Sequence, residues 1–339
     1  MSSQLDLLVV GSVALDTVET QAATRTEVLG GSASYFSAAA SFLTSVGLVG
    51  VVGDDFPDEH AQFLTRLGVD SQGLERRDAG KTFRWHGRYS DDFNKRTSID
   101  TQLNVFADFE PKLHPAHASA RLLFLGNIDP TLQLRVLEQM KSVELVGLDT
   151  MNFWINGSRE ALLKVLRRVD FLLLNDEEAR LLSGRHNLVH AAQAIQRLGP
   201  KNVVVKRGDA GALLFHDEHI FAAPALPLRM SWIRRAPEQL AGGFSQDFLC
   251  PNLERRTSTE CSSVARDLRQ HHGKLLLRRL QPRQLPIDHP PDHRPALPRV
   301  PATDPTSKTS SINGSYPTEA DRRAAATVFG TVAATVACR

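Results

Sequence analysis

Six short, predominantly apolar segments recur along the first two thirds of the chain, and each ends near small or polar residues. They are LDLLVVGS (5–12), VGLVGVVG (46–53), RLLFLGN (121–127), VELVGLD (143–149), VDFLLLN (169–175) and NVVVK (202–206). Runs of this length are typical of strands that are buried on both faces. Helical patterns lie between them: SYFSAAASFL, DEHAQFLTRLG, TLQLRVLEQMK, SREALLKVLRR, DEEARLLS and VHAAQAIQRLG. This alternation predicts an α/β fold with right-handed crossovers and a mostly parallel sheet covered by helices on both faces.

One segment interrupts this alternation. Residues 82–106, TFRWHGRYSDDFNKRTSIDTQLNVF, are aromatic-rich and alternate in polarity around a polar turn. The pattern predicts a small antiparallel insertion that stands off the main sheet as a lid, with Arg84, His86 and Arg88 available to a substrate. An ordinary hairpin at the edge of the main sheet is the alternative.

Polar residues follow several of the predicted strands. Parallel sheets bind ligands beyond the carboxyl ends of their strands, so these positions are the first candidates for a functional site. They are Asp16, Asn127, Asp149 and Asn175.

Two glycines, Gly30 and Gly31, directly precede a helix rich in small residues. Glycines there let a ligand approach the backbone, and the amides of the first helical turn attract hydroxyl or anionic oxygens. A tight loop before a closely packed helix is the alternative.

Asn175 ends a predicted buried strand, and Glu178 follows three residues later. This spacing fits a capping box at the start of the next helix. The functional alternative is that the two side chains organise Mg²⁺ and its waters, because Mg²⁺ keeps several waters and few carboxylates.

A G-x-x-G turn, Gly208 to Gly211, follows the last predicted strand and could bind the phosphates or the base of a nucleotide. Beyond it, His216 and His219 flank two acidic residues, which we interpret as the tip of a hairpin rather than a metal site. The chain contains no G-x-x-x-x-G-K-[ST] and no G-x-G-x-x-G after its first strand. A P-loop NTPase and a Rossmann dehydrogenase are therefore disfavoured.

Charge and composition divide the chain at Leu228. Over the whole sequence 40 Lys and Arg balance 38 Asp and Glu, which predicts neither a nucleic-acid nor a membrane partner. Residues 229–339, however, hold 17 basic and 10 acidic residues, 11 of the 18 prolines and all three cysteines. We expect one α/β domain over residues 1–228 and an irregular or disordered, basic, Pro- and Arg-rich tail over residues 229–339.

The cysteines and the N-terminus bear on location. Cys250, Cys261 and Cys338 have no regular spacing, which argues against a disulfide framework or a metal site. The first residues, MSSQLDLLVV, lack a basic export signal, and no apolar stretch reaches the roughly 20 residues of a membrane helix. We expect a cytoplasmic protein.

Taken in order, GSVALD, GGSASYFSAAASF, the lid-like insertion, NDEEARLL and KRGDAGALL resemble the ribokinase-like (PfkB-type) family of sugar and nucleoside kinases over residues 5–228. The resemblance implies ATP and Mg²⁺ as cofactors and a sugar or nucleoside as substrate. The oligomeric state is left open, although an exposed lid sheet could pair with that of a second subunit to form a homodimer. The resemblance assigns Asp16, Gly30 and Gly31 to the substrate, Asn175 and Glu178 to the metal, and Lys206, Gly208, Gly211 and Gly243 to the nucleotide. Two departures are Tyr35, where members often carry Asn, and Lys206, where many have a small hydroxyl residue.

The family's late D-x-x-D-x-x-G-A-G-D-x-F-x-G-G-F motif is missing. Its Gly-Ala-Gly amides would hold the transferring phosphate, and its last Asp would take the proton of the attacking hydroxyl. RMSWIRRAPEQLAGGF (229–244) occupies its place. When the reading frame begins one base upstream, the last bases of the Met230 and Trp232 codons start the triplets for Val and Asp. The codons that follow permit Gly-Ala-Gly. A second change of frame before Ala241 brings Ala-Gly-Gly-Phe back into register, and beyond Phe244 the sequence departs from the family pattern again.

We therefore predict that residues 229–339 are frameshifted, that the catalytic Asp is lost from residues 229–241, and that this exact chain is a poor or inactive kinase. A genuine divergent tail is the alternative. A non-catalytic sugar- or nucleoside-binding protein is the second functional hypothesis. A nucleic-acid binder is a third, disfavoured because the basic tail lacks interleaved aromatic residues.

Overall fold

The computed structural model describes residues 5–21, 23–90 and 96–224. Its strands are β1 (Leu7–Val10), β2 (Ala14–Glu19), β3 (Thr24–Gly30), β4 (Val46–Val52), β5 (Val69–Arg76), β6 (Phe83–Tyr89), β7 (Arg96–Gln102), β8 (Leu122–Leu125), β9 (Leu145–Asp149), β10 (Phe171–Asn175), β11 (Asn202–Lys206), β12 (Ala212–His216) and β13 (His219–Ala223). Its α-helices are α1 (Ser32–Ala40), α2 (Asp58–Arg66), α3 (Pro130–Gln139), α4 (Asn152–Gly157), α5 (Arg159–Leu166), α6 (Asp176–Ser183) and α7 (Leu188–Gln196). The predicted tail, residues 229–339, and Gly243 lie outside the described residues.

The main sheet has nine strands in the order β13-β12-β11-β10-β9-β8-β1-β4-β5. Strands β5, β4, β1, β8, β9, β10 and β11 pair in parallel, and β12 and β13 add an antiparallel hairpin at one edge. All six strands predicted from the apolar runs are present, so the prediction of a mostly parallel sheet is confirmed. The His216–His219 segment is the predicted hairpin tip, between β12 and β13.

Helices cover both faces of the main sheet, as predicted. Side chains alternate along each strand, so Leu8 and Val10 point to one core while Leu7 and Val9 point to the other. The first core packs against α3, α5, α6 and α7, and the second packs against α1 and α2. Each fully buried Leu or Val contributes roughly 1.5–3 kcal/mol, so these cores fix the strands that carry the site.

A second sheet of four strands, in the order β3-β2-β6-β7, stands apart from the main sheet and is called the lid sheet below. The predicted hairpin forms its β6 and β7, which excludes the alternative of an edge hairpin on the main sheet. The sequence did not predict β2 and β3. Strands β2 and β6 pair in parallel, so the lid sheet is mixed rather than purely antiparallel.

A polar network ties the lid sheet to the loop after β4. The backbone N–H and the hydroxyl of Thr82 both donate to Asp55 Oδ1 at 2.7 Å. The Arg84 guanidinium donates to Asp55 Oδ2 at 2.8 Å and to Glu27 Oε1 at 2.8 Å. Burial raises the pKa of Asp55, but these hydrogen bonds outweigh it, so the pKa lies below its ordinary value. The network holds β6 and β3 in fixed positions relative to the main sheet.

Candidate active site

The carboxyl ends of the parallel strands bring several predicted residues to one edge of the main sheet. Asn175 and Lys206 end β10 and β11, Asp149 ends β9, and Asn127 follows β8. Asp16 is different. It lies within β2 of the lid sheet rather than directly after β1, because the chain turns into the lid sheet at Ala14.

Asp16 is 8% exposed and lies against Gly30. The antiparallel pairing of β2 and β3 puts Ala14 opposite Gly30, so the Asp16 carboxylate is a diagonal neighbour on the same face. A Cβ added at Gly30 would overlap the carboxylate. Gly30 therefore provides the space that this buried acid occupies.

Gly31 begins α1 with φ of 93°, a conformation that favours glycine, and its backbone packs against the Ser12 carbonyl. Ser12 Oγ accepts a hydrogen bond from Ser32 N, and Ser12 O accepts one from Ala33 N, both at 3.0 Å. The prediction that the first-turn amides are free for a ligand is therefore wrong for these two amides. They join α1 to the end of β1.

Both polar atoms of the Asn127 side-chain amide are hydrogen-bonded, just beyond the carboxyl end of β8. Trp154 Nε1 donates to Asn127 Oδ1 at 2.9 Å, and Asn127 Nδ2 donates to Met151 Sδ at 3.1 Å. Trp154 belongs to α4, a helix that sequence analysis missed because it spans only six residues. The adjacent Phe153 is 64% exposed, so the helix presents an aromatic surface beside Asn127.

Asn175 and Glu178 form the predicted capping box. Glu178 N donates to Asn175 Oδ1, and Asn175 N donates to Glu178 Oε2, both at 2.7 Å. Glu178 is 7% exposed at the first turn of α6. The described residues contain no group of three or more His, Cys, Asp and Glu able to hold a metal ion.

Lys206 and Asp149 form an ion pair, with Lys206 Nζ at 2.9 Å from Asp149 Oδ1. Their side chains are 13% and 8% exposed. The Lys206 side chain crosses β10, whose Asn175 pairs in register with Lys206. Sequence analysis singled out both residues but did not pair them, because the contact depends on the strand order β9-β10-β11.

Gly208 and Gly211 have φ of 56° and 81°, and a short 3-10 helix joins them (Gly208–Ala210). The N–H groups of Arg207, Ala210 and Gly211 bind carbonyls inside the turn. These three amides therefore do not cradle a phosphate, and the turn offers a compact backbone surface instead.

The lid residues proposed from sequence lie on the face of the lid sheet opposite Asp16. Register partners in parallel strands point to the same side, and β2 and β6 pair Asp16 with Trp85. Arg84, His86 and Arg88 alternate with Trp85, so they lie on the face opposite Asp16.

Two of these lid residues are bound by one acid. His86 Nε2 lies 2.8 Å from Glu19 Oε1, and Arg88 Nε donates to Glu19 Oε2 at 2.7 Å. The hydrogen bond from Arg88, then that from His86, lowers the pKa of the Glu19 carboxyl. His86 and Arg88 therefore bind Glu19 on the face of the lid sheet opposite Asp16.

Trp85 is the residue that sequence analysis missed on the Asp16 face. Its indole covers Gly87, its Nε1 donates to Ser98 Oγ at 3.0 Å, and Arg96 lies 5.1 Å from the ring centroid. The sequence signal is the alternation along β6, which separates Trp85 from Arg84 and His86. The pairing of β2 with β6 in the structure then places Trp85 on the Asp16 face.

A mostly parallel sheet with helices on both faces, together with a small lid sheet carrying a buried acid, defines the ribokinase-like fold. The model of the pfkB family of carbohydrate kinases matches residues 4–229. The chain belongs to this family. In the part that the structure describes, no helix is both long and apolar enough to cross a membrane.

Individual relatives span sugar and nucleoside kinases. The chain is 28% identical over 267 residues to the cytidine kinase of Thermococcus kodakarensis, a match covering 76% of this chain and 92% of the relative. The ribokinase of Thermotoga maritima superposes with a TM-score of 0.53 at 20% identity, over 66% of this chain and 79% of the other. An E. coli protein solved with ATP and Mg²⁺ superposes with a TM-score of 0.53 at 17% identity, over 77% and 90%.

The match to the cytidine kinase continues past the family model. Residues 4–229 make up two thirds of the chain, whereas the cytidine kinase match covers 76% of it. At most three residues precede residue 4, so the additional matched residues follow residue 229. The similarity therefore extends into the segment that holds Ala-Gly-Gly-Phe (241–244).

Proposed function

We propose that this protein is built as an ATP- and Mg²⁺-dependent kinase that phosphorylates a hydroxyl group of a nucleoside or sugar. The observation that carries the proposal is the position of two groups along one sheet edge. The Ser12–Gly31 junction follows β1, and Asn175 and Glu178 follow β10. Only β8 and β9 separate these strands, so the groups lie about 14 Å apart at about 4.8 Å per strand. That span suits a hydroxyl substrate beside a triphosphate.

Each proposed role follows from the chemistry of the side chain. The buried Asp16 carboxylate accepts hydrogen bonds from substrate hydroxyls, and Gly30 provides the space in which that carboxylate lies. Glu178, oriented by the capping box, binds waters of Mg²⁺, and the Gly208–Gly211 turn packs against the nucleotide. When bound, Mg²⁺ neutralises charge on the phosphates.

A nucleoside is the better-supported substrate class. The cytidine kinase relative acts on a nucleoside by its name. In addition, the Trp85 indole lies on the Asp16 face of the lid sheet, where a nucleobase linked to a ribose would reach it.

Phosphoryl transfer by the chain as written is expected to be weak. The family motif that supplies the anion hole and the general base is absent from the sequence. Loss of one oxyanion donor costs about 10²–10³ in rate, so loss of the whole loop leaves little activity. The alternative function is accordingly a nucleoside- or sugar-binding protein without catalysis.

A repaired chain separates the two functions. Residues 229–240 are replaced by the alternative reading, completed with Gly-Ala-Gly-Asp and joined in register to Ala241, and both chains are assayed for cytidine-dependent ADP formation and, by calorimetry, for cytidine binding. We expect both chains to bind cytidine and only the repaired chain to form ADP. Binding without ADP formation in either chain favours the non-catalytic function. The calorimetry is repeated with ribose, and absence of cytidine and ribose binding in both chains refutes the proposed site. Resequencing the gene over the Arg229–Ala241 codons tests the frameshift directly.

The remaining proposals concern location and assembly. A cytoplasmic enzyme is expected, since ATP is the phosphate donor. A homodimer through the lid sheet is supported by β7, an edge strand in which every residue is exposed. Light scattering of the wild-type chain and a Ser98→Pro variant tests this dimer. A monomeric wild-type chain contradicts it.

A further inference from the structure

We propose that Lys206 binds the phosphoryl group that is transferred, and that Asp149 is a positioning residue that holds the Lys206 ammonium for this purpose. The inference rests on the proposed function. It adds a partner for Lys206 and a specific phosphate within the nucleotide. The supporting observation is the 2.9 Å contact between Lys206 Nζ and Asp149 Oδ1.

The direction of the Lys206 side chain identifies the phosphate. Lys206 begins at the end of β11, next to the Gly208–Gly211 turn assigned to the nucleotide. Its ammonium, however, lies at the end of β9, two strands closer to β1 and the substrate side. A nucleotide that packs on the turn reaches this point only with its far end. That end is the terminal phosphate of ATP.

Stability alone does not account for the pair. Both side chains are at least 87% buried, and removing two charges from water costs about as much as their attraction returns. A pair of apolar residues would stabilise the sheet equally well. A lysine side chain at the ligand-binding edge, by contrast, has an evident use in binding phosphate.

The geometry lets Asp149 and a phosphate share the same ammonium. A lysine carries three N–H donors, and the contact with Asp149 uses one of them. The remaining donors are available to phosphate oxygens without breaking the pair. Asp149 therefore fixes where the charge lies, because a free lysine side chain would otherwise sample many rotamers.

Calorimetric titration with ATP, ADP and AMP, in Mg²⁺ and without a hydroxyl substrate, tests the proposal on the full chain. For Lys206→Met we expect roughly 10- to 100-fold weaker ATP binding and less than about threefold weaker ADP binding, since only the terminal phosphate loses its charged partner. Lys206→Arg should restore part of the ATP preference. Asp149→Ala should weaken ATP binding about 3- to 10-fold, and Asp149→Asn less, because the amide still accepts a hydrogen bond.

Two further variants keep the result interpretable. Lys206→Met alone leaves the Asp149 carboxylate buried without its partner, so Lys206→Met/Asp149→Asn removes both charges and should show the same loss of ATP preference in a folded chain. Lys201→Met makes the same charge change at an exposed lysine before the other end of β11 and should leave all affinities unchanged.

Three outcomes are informative. Selective loss of ATP affinity in the Lys206 variants supports the proposal. An unchanged ratio of ATP to ADP affinity in the folded double variant overturns it while leaving the proposed kinase function intact. Absence of nucleotide binding in the wild-type chain overturns both.

Discussion

The contact between Gly30 and Asp16 gives a quantitative test of the substrate side of the site. A Cβ at residue 30 would overlap the carboxylate of Asp16, whose residue is 8% exposed. Overpacking of this kind costs about 1–3 kcal/mol, whereas Gly→Ala in extended backbone returns about 0.4–1 kcal/mol by restricting the unfolded chain. We therefore expect Gly30→Ala to lower the free energy of unfolding by about 1–2 kcal/mol.

The cost arises from the overlap between the added Cβ and the Asp16 carboxylate, so a double-mutant cycle between residues 16 and 30 measures it. In an Asp16→Ala background the carboxylate is gone, and the same Gly30→Ala change should be neutral or stabilising by about 0.4–1 kcal/mol. The coupling free energy between the two sites is then about 1–3 kcal/mol. Chemical denaturation followed by circular dichroism measures it. Gly157→Ala, at a helical glycine with nothing within 4 Å of an added Cβ, is the matched control.

Binding should follow the same logic. Gly30→Ala displaces the Asp16 carboxylate, and a lost hydrogen bond to a charged group is worth about 1.5–3 kcal/mol. Cytidine affinity should therefore fall roughly 10- to 150-fold in Gly30→Ala and in Asp16→Ala alike. Equal destabilisation by Gly30→Ala in both backgrounds, or unchanged cytidine binding, would refute the reasoning from this contact.

Three other predictions separate structure from function. Glu178→Gln retains an acceptor for the capping box, so the unfolding midpoint should not change. Calorimetry should show severalfold weaker Mg²⁺-dependent ATP binding. A drop in stability of about 1 kcal/mol would instead reveal a purely structural role. Trp85→Ala should weaken nucleoside binding about tenfold and Arg88→Ala should not, because these residues lie on opposite faces of the lid sheet; equal effects would contradict the face assignment. The lowered pKa of Asp55 stabilises the fold above its unfolded pKa of about 4, and this stability is lost as pH falls through the folded value. Asp55→Asn should therefore flatten the acid limb of the curve of unfolding free energy against pH, and an unchanged limb would count against the Arg84 network.

Most strands of the main sheet could be predicted because strands buried on both faces appear in the sequence as apolar runs. Residues 145–148 and 171–174 are apolar without interruption, and they lie in strands that are buried on two faces. β5 was missed because an edge strand is only partly buried, and VDSQGLER carries the polar residues this permits. The strands β2 and β3 were missed for a similar reason, since the lid sheet buries only part of each strand.

The candidate site was predicted residue by residue, but its contacts were not. Asn175 and Glu178 are three residues apart, and a local spacing rule found their capping box. Lys206 and Asp149 are 57 residues apart, and only the strand order brings them together. The lid residues were chosen by charge, whereas the pairing of β2 with β6 decides which of them share a face with Asp16.

The strand order also has a consequence for folding kinetics. From β8 to β13 each strand pairs with the next one along the chain, so residues 122–223 acquire their sheet through short loop closures. β1 pairs with β8, Leu7 opposite Leu122, across more than a hundred residues that include the whole lid sheet. Contacts at such separation form late in folding. We therefore expect native-state hydrogen exchange to divide the molecule between β1 and β8. The part of the main sheet from β8 to β13 would then assemble first, and the part that contains β1, β4 and β5 would dock onto it.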